Sequence, residues 1–231
     1  MTRRFWLILV AVLAIATLPA QPPALEVVLR QARQEISDFK KAGGKNSDPA
    51  HPAEKWAKEL WKWRDASPGT PEAAKATTEA VRFLVYADRF TEVQERVDSI
   101  PPDDPAWQSL AGVLFDSASR QKNYTYFFAK LESVLNAAKE PNTRAAVDLN
   151  LGRAWRERRD NHKAETALRA AIDLAPDSRA GKAAERQLYE LLHLSAGQPA
   201  PLFSTETVTG AHLSLADYRG KPVVLVFWGT Y

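Results

Sequence analysis

The residues able to do chemistry in this chain are few, and the most reactive type is missing. None of the 231 residues is a cysteine. Disulfides, thiolate nucleophiles, cysteine-based zinc sites and dithiol redox chemistry are therefore excluded for these residues. The four histidines, His51, His162, His193 and His212, are scattered, and none has metal-ligand spacing to another His or to an Asp or Glu motif. Each is expected at the surface or at a helix end. Gly43-Gly44-Lys45-Asn46 has the glycines and lysine of a phosphate loop's end, but not its first glycine, its Ser/Thr after Lys or its preceding strand. It reads as a loop that stops a helix. Asp103-Asp104 follows two prolines and reads as a turn with helix-start charge, not as an acid/base pair. Trp56, Trp61 and Trp63, with Lys55, Lys58, Lys62 and Arg64 among them, are of the types that stack on a sugar, peptide or base. Helical spacing puts Trp56 and Trp63 on one face with Trp61 off it, so core packing with one exposed Trp is expected. No acidic pair at that spacing suggests sugar hydrolysis. The charge run Arg156–Asp160 reads as the solvated end of a helix.

Charge narrows the partners. Lys and Arg number 31 and Asp and Glu 28, a net charge of +3. Two of the positive charges, Arg3 and Arg4, belong to an N-terminal segment expected to be removed. No broad basic field remains to grip nucleic acid. That segment, residues 1–20, has a basic start and an apolar run from Phe5 to Leu18, shorter than the ~20 residues that span a bilayer as a helix. It reads as a secretory signal, with Ala14-Ile15-Ala16 as a cleavage pattern and an uncleaved membrane anchor as the alternative. Export to a periplasmic or extracytoplasmic compartment is expected, with no membrane association beyond this segment.

The elements that must position any site are helices. Leu25, Val28, Leu29, Ala32, Ile36 and Phe39 recur at helical spacing, and Gly43-Gly44 ends that helix. Further helices are expected around Trp56–Trp63, from Pro71 to about Ala87 with Thr70 as N-cap, over Thr91–Ile100, over about 106–120 and 124–139, across 145–176, and over about 178–194. Proline-rich breaks at 67–71, 101–105 and 141 separate them.

Leu151-Gly152, Trp155, Ala164, Leu168, Ala171 and Pro176 stand at offsets that resemble a tetratricopeptide repeat. The resemblance implies two antiparallel helices approaching closely at Gly152, Ala164 and Ala171, with Trp155 and Leu168 filling the space between them. Asp148 departs from the pattern, replacing its usual large first residue. One such repeat cannot bury its own apolar face, so residues 21–194 are expected to form one right-handed array of eight or nine helices. A peptide or protein partner at the helical array is what such arrays imply.

After Leu194 the composition changes. Residues 195–201, Ser-Ala-Gly-Gln-Pro-Ala-Pro, form a linker. Residues 203–208 and 212–215 read as a strand and its return, 215–218 as a helical turn, and 222–228 as a strand covered on both faces. Gly197-Gln198-Pro199-Ala200-Pro201-x-Phe203, Gly210, Leu213-Ser214-Leu215, Asp217, Arg219-Gly220-Lys221 and Val223 through Trp228-Gly229-Thr230-Tyr231 resemble the opening of a thioredoxin-like domain. The closest branch is the exported TlpA/ResA-type thiol-disulfide oxidoreductases, and the alkyl hydroperoxide reductase and thiol-specific antioxidant (peroxiredoxin) group opens similarly. The resemblance implies that the nucleophilic cysteine would follow Tyr231, with Trp228 and Tyr231 flanking it. The catalytic positions of the family are thus not in this sequence.

The fold class expected is mainly α: a tetratricopeptide-like antiparallel helical array, then the first strands of an incomplete thioredoxin-like α/β domain over 202–231. The function this implies is a fragment of an exported thiol-disulfide oxidoreductase, lacking its redox cysteines and inactive by itself, with a redox partner protein in the longer form. The alternatives are a non-catalytic interaction scaffold and a fragment of a peroxiredoxin-like peroxide reductase. No cofactor, metal or nucleic acid is expected. Residues 200–231 are expected to be poorly ordered, or a small hairpin plus strand held against the helices.

Overall fold

In a computed structural model of the protein, the described residues are 24–229. The signal segment, and Thr230 and Tyr231, lie outside them. Among the described residues the chain is mainly helical, with one small two-stranded sheet. The nine helices are α1 (Leu25–Lys41), α2 (Ala53–Ala66), α3 (Pro71–Tyr86), α4 (Phe90–Asp98), α5 (Trp107–Gln121), α6 (Thr125–Ala137), α7 (Pro141–Glu157), α8 (Asn161–Leu174) and α9 (Arg179–His193).

Local chemistry explains most boundaries. The Thr70 hydroxyl accepts from the Ala73 N–H at 3.1 Å, and Pro71 opens α3 where no N–H is needed. Pro141 opens α7 in the same way, with the Glu140 carboxylate accepting from the Thr143 N–H at 2.6 Å. Asp160 and Ser178 cap α8 and α9. Asp104 accepts from the Ala106 N–H at 2.8 Å, the helix-entry role its place after the prolines indicates.

One turn recurs. The odd helices α1, α3, α5 and α7 each end on a residue with left-handed backbone: Gly43 (φ 88°), Asp88 (φ 55°), Lys122 (φ 53°) and Arg159 (φ 61°). At each end that residue's N–H bonds the carbonyl three residues back, and the next N–H bonds the carbonyl five residues back. The second of these bonds are Gly44 to Phe39, Arg89 to Leu84, Asn123 to Ala118 and Asp160 to Trp155. This satisfies the orphan carbonyls, and after α3, α5 and α7 the next helix begins within three residues, whereas a nine-residue loop separates Gly43 from α2.

The pairs then stack. One buried cluster runs from Leu29 in α1 through Leu84, Trp107 and Leu131 to Val147 and Leu151 of α7. A second joins Ala145 and Ala146 of α7 to Leu168 of α8 and Ala184 and Leu188 of α9. Helix α7 belongs to both, and Trp155 packs against both.

Two expectations are corrected. First, none of the three clustered tryptophans is exposed, and Trp61 is the most buried of them. The cause is that α2 is covered on two sides. Trp56 donates its indole N–H to Glu35 of α1 at 2.8 Å, while the Trp61 ring lies under Arg96 of α4, 5.5 Å from its centroid. Second, residues 222–228 are not a strand. They have no regular secondary structure, and Val224, Phe227 and Trp228 are 84%, 92% and 82% exposed. The hairpin itself is present but shorter than expected. β1 (Ser204–Glu206) pairs antiparallel with β2 (His212–Ser214), followed by a 3-10 turn over Leu215–Tyr218. No residue from Leu192 to Gly229 is buried.

Lys122 carries a Cβ in a backbone region that strains L-residues by about 1–2 kcal/mol, and its side chain is exposed. Lys122→Gly relieves that strain at the cost of greater unfolded-chain entropy. Urea unfolding of the variant is expected to show a net gain of about 0.5–1 kcal/mol.

Candidate functional site

The recurring turns set the odd helices beside one another, α3 against α5, α5 against α7 and α7 against α9. Their shared face carries a groove of about 700 Å³ between α5, α7 and α9. An adjoining hollow of about 600 Å³ lies between α3 and α5, and Arg82, Gln108, Ser109 and Arg179 line both. Small side chains, Gly112, Ala146, Ala180 and Ala183, leave room in the groove.

Four arginines enter it: Arg82, Arg153, Arg179 and Arg186, against one acid, Asp116. Arg82, Asp116 and Arg153 occupy equivalent places, six residues before the left-handed residues 88, 122 and 159. The recurring turn thus lines them up across three neighbouring helices. Arg153 is held in place. It donates to the buried Asn150 Oδ1 at 2.9 Å, its guanidinium lies 4.0 Å from the Phe115 ring centroid, and Asp116 stands 3.9 Å away. Asn150 is itself fixed by donating to the Ala146 carbonyl at 2.8 Å. Arg82 pairs with Glu79 at 3.1 Å. Arg179 and Arg186 are exposed and make no ion pair among the described residues. The groove holds no nucleophile with a base beside it.

The residues singled out at the α7–α8 seam are placed together. Ala164, Leu168 and Ala171 are fully buried. A Cβ on Gly152 would stand 2.8 Å from Leu168 Cγ and 3.3 Å from the Ala164 carbonyl oxygen, so the close approach of the two helices requires glycine there. Trp155 is half-buried, stacked on Phe128 of α6 at 4.2 Å and covered by Lys163. Pro176 is the exception among these packing residues. Its side chain is exposed, and it acts through its backbone, which with Ala175 leaves no room for a Cβ on Gly181 at the start of α9. Trp228 is exposed and meets no site, and Tyr231 lies outside the described residues.

The histidines stand on different elements. His51 is buried, not at the surface: its Nδ1 accepts from the Ala53 N–H at the start of α2, its ring packs edge-on against Phe39, and burial holds it below the ordinary histidine range. Among the described residues no group of three His, Cys, Asp or Glu side chains is placed to hold a metal ion, and no helix is long and apolar enough to cross a membrane.

The arginine groove escapes sequence reading because its members come from separate helices, with Arg82, Arg153 and Arg179 spread over nearly a hundred residues of chain. For Arg82, Asp116 and Arg153 the available signal was their equal offset from the helix end, which becomes visible only once the turns are located, and Arg179 and Arg186 carry no such signal. No family model, curated protein or solved structure matches the chain.

Asp148, buried in α7, has the most perturbed carboxyl among the described residues. Burial pushes it up to about 6 from 3.8, with nearby Arg144 acting in the opposite sense. The folded state therefore holds this proton more tightly than the unfolded state, and stability is lost as pH rises from about 4 to about 6. Asp148→Asn is expected to add about 2 kcal/mol in urea unfolding at pH 7 and close to nothing at pH 4. His51, whose shift destabilises the fold on acidification, is common to both proteins and cancels in the difference.

Proposed function

We propose that this chain is a tetratricopeptide-like helical array that binds a peptide or protein partner on the shared face of α3, α5, α7 and α9. We further propose that it carries the opening segment of an exported TlpA/ResA-like thiol-disulfide oxidoreductase. The observation that carries the array reading is the recurrence of one turn at Gly43, Asp88, Lys122 and Arg159, the last three 34 and 37 residues apart. Spacing near 34 residues is that of helix-pair repeats, which need their neighbours to bury each apolar face. The fit of Gly152 against Leu168 and Ala164 supports the same reading.

The redox reading is supported by the ordered series of motifs over 197–231 and by the state of residues 222–228. A run of Val, Leu and Phe that is mostly exposed has two faces to cover and unpaired backbone groups to satisfy. A central strand of an α/β sheet has those needs. The role assigned to the helices is to hold a partner near the redox domain. The role assigned to Trp228 and Tyr231 is to flank its cysteine. An interaction scaffold without catalysis is the second reading, favoured by the absence of cysteine from these residues.

Two measurements test this. The purified chain is expected to show no insulin disulfide reduction, since it has no thiol to attack with. Turnover would overturn the mechanism. Reading the coding sequence past the Tyr231 codon is expected to give Cys-x-x-Cys. A single cysteine there would instead assign a peroxide reductase, and a stop codon would leave the scaffold reading alone.

A further inference from the structure

We infer that the groove between α5, α7 and α9 selects an acidic peptide segment, its carboxylates taken up by Arg153, Arg179 and Arg186. This rests on the reading that the shared face of the odd helices is the binding face, and it adds the chemistry of the ligand.

Three observations carry it. With Arg82 taken up by Glu79, the groove sets three guanidiniums, Arg153, Arg179 and Arg186, against the single carboxylate of Asp116, whereas the chain as a whole is nearly balanced. The positive charge is therefore concentrated by the fold. Arg179 and Arg186 have no internal counter-ion among the described residues, and Arg153 is pre-oriented by Asn150 and Phe115, its nearest acid 3.9 Å away. Guanidiniums presented in this way match carboxylates, which accept two parallel N–H donors from one fork. Finally, Gln108, Ser109, Asn142 and Gln187 line the groove beside the arginines, and small residues leave it open. Amides and hydroxyls of this kind pair with the N–H and C=O groups of an extended peptide.

The same observations argue against a nucleic acid strand. No Phe, Tyr or Trp lines either hollow, so bases have no stacking surface. Asp116 also interrupts the cationic run. An interrupted run suits separate carboxylates better than an unbroken row of phosphates.

The test uses the full chain and three fluorescein-labelled peptides of about eight residues, alternating Ser with Glu, Gln or Lys, read by anisotropy at low and near-physiological salt. An oligothymidylate of similar charge to the Glu peptide is run alongside. The Glu peptide is expected to bind at least about tenfold tighter than the Gln peptide, to weaken as salt rises, and to lose at least about tenfold in the double variant Arg179→Glu, Arg186→Glu. Both positions are exposed, and the circular dichroism melt of the variant checks that it is folded. Equal binding of the Glu and Gln peptides, or full retention by a folded double variant, overturns the acidic selectivity while leaving the binding face intact. Oligothymidylate binding as tight as the Glu peptide overturns the assignment to a peptide. Failure of every peptide to bind overturns both the selectivity and the binding-face reading.

Discussion

Any helix end leaves its last carbonyls without partners, and this chain answers that constraint four times with the same backbone. Gly43, Asp88, Lys122 and Arg159 enter the left-handed region so that the following N–H can reach back five residues. Only the first is glycine. At the other three positions the strain is tolerated because the hairpin it closes buries an apolar face on each side. Everything downstream depends on this turn. It carries the chain from α3, α5 and α7 into the next helix within a few residues, and with α3, α5, α7 and α9 lying side by side it brings residues some thirty positions apart onto one surface.

The turns alone would give hinged pairs, and polar side chains lock them together. Arg89, just after the α3 turn, donates to the Asp48 carbonyl at 2.7 Å and pairs with Glu54, tying the α1–α2 loop to α3 and α4. Tyr124 and Ser119 both donate to Glu157, joining the α5–α6 turn to the end of α7. Tyr126 of α6 donates to Asp98 of α4 at 2.9 Å, and burial together with that carboxylate pushes its hydroxyl well above the usual phenol range. Such bonds add modest stability each, but they fix the angle between pairs, and the groove's shape follows from that angle. Buried Asp148 and His51 work the other way, each preferring to be neutral. They cost stability at opposite ends of the pH scale.

The C-terminal segment shows what a strand needs beyond its own sequence. Residues 204–214 pair because a short turn through Gly210 brings two strands together, and the Thr207 hydroxyl accepts from the Ala211 N–H at 3.0 Å. Residues 222–228 have stronger β-forming side chains and form nothing regular among the described residues. A strand's hydrogen bonds lie in its neighbours, and a lone strand gains nothing for the entropy it gives up. A helix differs because its bonds are internal, which is why all the expected helices appear while this strand does not.

The sequence alone therefore determined what depends on near neighbours along the chain. Apolar residues at helical spacing located the helices, Thr70 with Pro71 marked the start of α3, Gly43-Gly44 marked the end of α1, and the absence of cysteine excluded thiol chemistry. Between α7 and α8, Gly152 meets Leu168 and Ala164, a contact across helices that local spacing could only raise as an expectation. Tertiary structure decided the rest. It buried Trp61 because α4 lies over it, left the 222–228 run exposed, and turned Pro176 into a backbone contact. It also assembled the arginine groove, since Arg82, Arg153 and Arg186 share a surface only after each turn has set the rotation of the next helix. Local spacing carries the period of one element, whereas the angle between elements arises from packing that no single stretch of the chain contains.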